Sequence, residues 1–193
     1  MINLKCYPIF SNNLSNLKEL SKDTSNSDDI QYMTEYQVEA VNFDAVKTEY
    51  ANSLEMSEEV ASSCDALLEM PESLVFIEFK NGSMKNAKRN VKDKIRDSLL
   101  IFCDIVNQNI SATRESLDFI LIYNIFKNPL PNKMTRDEHS NSSSRDAIGK
   151  YFMKKGHNEL ILFDLERFKN IYFREVHTYS KEEFAHYMKT INK

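Results

Sequence analysis

Two seven-residue runs constrain this chain more than anything else in it: Leu74-Val-Phe-Ile-Glu-Phe-Lys80 and Leu117-Asp-Phe-Ile-Leu-Ile-Tyr123. Both are almost continuously apolar and rich in β-branched and aromatic side chains, the pattern of strands buried in a sheet. Between them, from Ser83 to about Gln108, Val91, Ile95, Leu99, Phe102 and Val106 recur at helical spacing. That spacing predicts a long amphipathic helix. A further apolar run, Cys64 to Met70, precedes the first strand and is separated from it by Pro71-Glu72-Ser73, a turn signal that predicts a β-hairpin. The order strand, strand, helix, strand implies an α/β fold with a mixed central β-sheet flanked by helices.

The rest of the chain fits one domain, since 193 residues is about the length a single hydrophobic core organises. Residues 1–29 read as a short apolar start followed by a polar loop rich in Ser, Asn and Asp. From Ile30 to Ala51, Met33, Tyr36, Val38, Val41, Phe43 and Val46 predict one or two helices. Residues 126–193 are read as a C-terminal α/β extension of the same domain. Within the extension, Asn128-Pro-Leu-Pro-Asn132 breaks the chain, and the polar tract near 136–145 reads as a flexible loop. A short helix is expected over Arg145 to Lys155, ended by Gly156, then a strand at Leu160 to Phe163 and an extended piece from Asn170 to Val176. Ser180-Lys-Glu-Glu183 has the form of a capping box opening a last helix through Ile191.

Several chemistries are excluded by what is missing. Three glycines, Gly82, Gly149 and Gly156, cannot build a GxGxxG turn, and Gly149-Lys150 lacks the rest of a phosphate loop. Cys6, Cys64 and Cys103 are odd in number and widely spaced, so neither a disulfide framework nor a metal ribbon is expected. His139, His157, His177 and His186 show no HxH or HExxH spacing. No run approaches the ~20 apolar residues of a membrane span, and the N-terminus has no signal-peptide pattern. A cytoplasmic protein without membrane contact is expected.

Charge is distributed unevenly. Residues 1–79 carry 4 basic and 15 acidic side chains, whereas residues 80–193 carry 21 and 14, so a formal charge of −11 is joined to one of +7. The change is abrupt: Lys80, Lys85, Lys88, Arg89, Lys92, Lys94 and Arg96 are opposed only by Asp93. A basic stretch beside acidic residues can place a polyanion next to a metal site.

The junction falls at Glu78-Phe79-Lys80. Side chains alternate along a strand, so Glu78 and Lys80 share one face, and a hairpin of suitable register adds Asp65 to them. Two carboxylates converging at a strand end make a hard-oxygen site suited to Mg²⁺ or Mn²⁺. A nearby lysine can orient or deprotonate an attacking water and offset charge in phosphodiester hydrolysis.

With Asp65, Glu78 and Lys80 in this arrangement, residues 30–125 resemble the PD-(D/E)xK nuclease superfamily, with Cys64 in place of the proline. The resemblance implies a restriction-endonuclease-like core, Asp65 and Glu78 as metal ligands, and Lys80 as the catalytic lysine. It also implies a glutamate from the preceding helix, for which Glu39 is favoured over Glu49. Lys85, Lys88 and Lys92 are expected to hold nucleic-acid phosphate, DNA ahead of RNA, in a setting such as restriction, phage defence, repair or mobile elements. The other expectation is a catalytically idle fold of this kind, serving as an immunity- or antitoxin-type module whose acidic first third covers a basic protein partner.

Overall fold

A computed structural model describes residues 2–25, 29–129 and 160–191. The loop expected near 136–145 and the helix expected over Arg145 to Lys155 lie outside the described residues.

The two buried runs are strands with the bounds the sequence suggests: β6 is Leu74–Lys80 and β7 is Leu117–Tyr123. The hairpin partner β5, Ala66–Glu69, pairs antiparallel with β6, Ala66 opposite Ile77 and Glu69 opposite Leu74. Helix α4, Lys88–Ile105, then carries the chain back so that β7 lies parallel to β6, Leu74 beside Leu117 and Lys80 beside Tyr123. The chain is therefore a mixed α/β protein. Among the described residues the main sheet has six strands in the order β1, β4, β5, β6, β7, β8, where β1 is Leu14–Asn16, β4 is Glu39–Asn42 and β8 is Val176–Ser180. A separate antiparallel pair is formed by β2, Lys22–Asp23, and β3, Gln31–Tyr32. Strands β1, β4, β5 and β6 pair antiparallel, and β6, β7 and β8 pair parallel.

Alternation along the central strands divides the core in two. On one face Leu67, Phe76, Phe119 and Leu121 meet Val91, Ile95, Leu99 and Phe102 of α4 and Phe43 and Val46 of helix α3, Phe43–Ser53. On the other, Val75, Ile77, Ile120 and Ile122 meet Leu17, Met33, Phe184 and Met188. The last two belong to the terminal helix, Lys181–Ile191. Its capping box is formed on both sides: Ser180 N–H donates to Glu183 Oε2 at 2.7 Å, and Glu183 N–H donates to Ser180 Oγ at 3.2 Å.

Four stretches depart from the sequence expectation. The polar N-terminal segment is no simple loop, because Leu14–Asn16 forms an edge strand against β4 and Leu17 is fully buried. Between Ile30 and Ala51 only Phe43–Ser53 is α-helical; Glu39–Asn42 is a strand with two buried residues at its centre. Asn42 separates the two, its side chain accepting from Ala45 N–H as an N-cap. Leu160 to Phe163 forms no strand: Phe163 and Asp164 both lie near φ +61° in a turn closed by Leu165 N–H to Leu162 C=O. Its apolar residues and those that follow, Leu165, Phe168 and Phe173, cover the α4 face of the sheet. The piece expected to be extended from Asn170 to Val176 is instead a turn, with Asn170 at φ +61° and an isolated bridge between Lys169 and Phe173, and strand β8 begins at Val176.

Helix α3 ends in a Schellman motif with an unfavourable residue in it. Met56 N–H reaches Ala51 C=O and Glu55 N–H reaches Asn52 C=O, which puts exposed Glu55 at φ +57°. Glycine takes that conformation without a Cβ penalty. Glu55→Gly should raise the unfolding free energy by about 0.5–1 kcal/mol in urea denaturation. An unchanged midpoint would mean that the position carries no strain.

Candidate metal and phosphoryl-transfer site

The β5–β6 register makes the site. Ala66 faces Ile77, so the residue before β5, Asp65, lies level with Glu78, and its N–H donates to Ile77 C=O at 3.1 Å. Both carboxylates stand on the sheet face covered by α4, where Leu67 and Phe76 are buried. Helix α4 is fastened to the preceding segment by two bonds: Cys64 N–H donates to Ser98 Oγ at 2.7 Å and Ser62 N–H to Asp97 Oδ2 at 2.9 Å. Lys94 is one turn before Ser98 on that flank, and so its ammonium arrives between the carboxylates.

Lys94 Nζ is 2.8 Å from Glu78 Oε1, 3.0 Å from Glu78 Oε2 and 3.1 Å from Asp65 Oδ1. The remaining oxygen of Asp65, Oδ2, accepts from Phe79 N–H at 2.6 Å. The Glu78 side chain is only 3% exposed, Asp65 18% and Lys94 21%. Burial pushes the Glu78 carboxyl well above the ordinary range, the Asp65 charge pushes it further, and Lys94 opposes both. Asp65 is raised for the same first reason, burial, against the pull of Lys94 and the Phe79 N–H. Burial alone would lower the Lys94 ammonium, but Glu78 and Asp65 outweigh it and raise its pKa. One ammonium thus faces two carboxyl groups, and the cluster holds a proton more readily than free carboxyls do.

The other residues singled out in the sequence are spread around this centre. Lys80 is two residues beyond Glu78 on the same strand face, about 6.6 Å along the strand. Its ammonium makes no ion pair or hydrogen bond with a described residue. Glu39 is on β4, not on a helix, and pairs with Lys5 at 3.3 Å. Asn42, three residues further along β4, is level with Ala66, so Glu39 sits toward the far end of the strands from Asp65. Glu49 accepts from Asn13 Nδ2 at 2.7 Å. The helix acid whose charge reaches the pair is instead Asp44, in the first turn of α3, which raises both Asp65 and Glu78 and is held by the Ser63 hydroxyl at 2.5 Å.

The lysines expected to hold phosphate divide in the same way. Lys88 and Lys92 both approach Asp164, at 3.7 and 3.6 Å, on the opposite flank of α4. At 100° per residue, Lys92 and Lys94 are about 160° apart around the helix. Lys85 is exposed before the helix begins, its N–H bonded to Ser83 Oγ. Lys94 was visible in the sequence only as one member of the basic run. The signal that distinguishes it is its place between Val91 and Ser98 on the buried side of the helix, where a lysine needs a buried partner.

Among the described residues no group of three or more His, Cys, Asp or Glu side chains is close enough to hold a metal ion. Mg²⁺ does not need one, since it is commonly held by one or two carboxylates, with waters and substrate phosphate filling the octahedron. The donor set fits: two hard carboxylates on one face, already gathered around a cation, the ammonium of Lys94. No protein-family model, curated protein or solved structure matches the chain.

Proposed function

We propose that this chain is a Mg²⁺- or Mn²⁺-dependent nuclease that hydrolyses phosphodiester bonds in nucleic acid, DNA ahead of RNA, in a defence or mobile-element setting. The observation that carries the reading is the pair Asp65 and Glu78, level with each other just before β5 and on β6, shielded under α4 and sharing a single ammonium. In this reading the two carboxylates hold the cation, whose contribution when bound is Lewis acidity toward phosphoryl oxygen and neutralisation of charge. The Phe79 N–H fixes the Asp65 carboxylate, so its orientation is set before any ligand arrives. Lys94 and Lys80 supply positive charge from α4 and β6 toward the phosphate as negative charge builds on it. Asp44 adds negative potential behind the pair, which increases the attraction for a divalent ion.

The test is direct. Full-length protein incubated with Mg²⁺ or Mn²⁺ should cut plasmid DNA, single-stranded DNA or RNA, and EDTA should stop it. If no nucleic acid is cut with either metal, the nuclease reading falls and a protein-binding role for the same fold takes its place. No helix among the described residues is long and apolar enough to cross a membrane.

A further inference from the structure

We infer that Lys94 is the resting counter-ion of the site and competes with the divalent cation for Asp65 and Glu78, so that metal loading requires its ammonium to leave. The inference rests on the metal-site reading above and concerns how that site is kept before loading. Both Glu78 oxygens and Asp65 Oδ1 lie within 3.1 Å of Lys94 Nζ. The fourth oxygen, Asp65 Oδ2, is taken by the Phe79 N–H. Every carboxylate oxygen of the pair is therefore already engaged. With the Glu78 side chain 97% covered, a second cation has no separate approach to it. A cation entering here replaces the ammonium instead of joining it.

The helix itself is not the part that moves. Its bonds to Ser62 and Cys64 and its buried Val91, Ile95, Leu99 and Phe102 hold it to the sheet. The four-carbon stem of Lys94 is the flexible element, and its side chain is one-fifth exposed. An arriving nucleic-acid phosphate offers the released ammonium a new partner, and cation and substrate should therefore strengthen each other's binding.

The competition is measured by titrating Mn²⁺ into the full chain, following free Mn²⁺ by electron paramagnetic resonance and heat by calorimetry. Lys94→Met should lower the Mn²⁺ dissociation constant roughly 10–100-fold, because a positive charge about 3 Å from the ligand oxygens is gone. Lys94→Arg, which keeps the charge, should bind as weakly as the unmodified protein. If Lys94→Met does not fold in chelator, Lys94→Gln carries the same comparison, checked by circular dichroism before titration. Equal affinity in the unmodified and Lys94→Met proteins would overturn the competition while leaving the metal site standing. No binding by either would overturn both.

Discussion

Asp65→Asn should lower metal-dependent cleavage roughly a thousandfold or more while lowering the melting temperature by only a few degrees. The substitution is nearly isosteric and keeps an acceptor for the Phe79 N–H, so the local backbone bond survives; the amide nitrogen then faces Lys94, which keeps Glu78 as its partner. It removes a buried charge that the fold tolerates at a cost, since burial raises the Asp65 carboxyl. What it takes away is half of the negative pair that would hold the cation. Lys80→Met makes the useful contrast. Lys80 contacts neither carboxylate, and its removal should slow cleavage only about tenfold if its part is long-range charge on the phosphate. Rates under single-turnover conditions, with melting curves for each variant, check both. A cleavage rate untouched by Asp65→Asn would remove Asp65 from the site. A loss with Lys80→Met as large as with Asp65→Asn would return the principal lysine role to the strand.

The parts of this structure that could be read in the sequence are those where one periodicity dominates. Leu74–Lys80 and Leu117–Tyr123 are apolar on both faces and bounded by turn signals, so their limits were visible. Helix α4 showed itself through Val91, Ile95, Leu99 and Phe102, and the last helix through its capping box. Glu39–Asn42 reads as helix in the sequence because a four-residue strand between polar neighbours has too few positions to show a period of two. The N-terminal edge strand is hidden for the same reason: three residues, Leu14–Asn16, carry almost no pattern, and the sheet supplies the partner that makes them a strand. At the site, Asp65 and Glu78 were legible because hairpin length ties their levels together. The third member was not. Whether Lys88, Lys92 or Lys94 reaches the carboxylates depends on how α4 is rotated on the sheet, and that rotation is set by Ser98 and Asp97 binding the backbone of Cys64 and Ser62. A bond from a helix to a loop more than thirty residues earlier leaves no mark in local spacing.

Lys94→Met should destabilise the fold by about 3–5 kcal/mol, and adding Glu78→Gln to it should restore most of the loss. Removing the ammonium leaves Asp65 and Glu78 facing each other in a site that already raises both carboxyls. Breaking a buried pair from one side is costly for that reason, whereas removing charge from both sides is often close to neutral. The deficit should depend on pH with a definite sign. A carboxyl whose pKa is higher folded than unfolded favours folding most below its unfolded value, about 4.3 for glutamate, and loses that contribution as pH rises through the folded value. With Lys94 gone, the proton on Glu78 is what quiets the repulsion, so Lys94→Met should be closer to the unmodified protein at pH 5 than at pH 8. The double variant, holding one carboxylate and an amide, should lose most of that dependence. Urea denaturation of the unmodified protein, Lys94→Met, Glu78→Gln and the double variant at the two pH values provides the cycle. A coupling energy near zero between Lys94 and Glu78 would mean that the 2.8 Å contact contributes nothing specific to the fold. A coupling of several kcal/mol that vanishes when Mn²⁺ is added to the Lys94→Met variant would tie the same carboxylates to a cation, whether that cation is the protein's own ammonium or a metal.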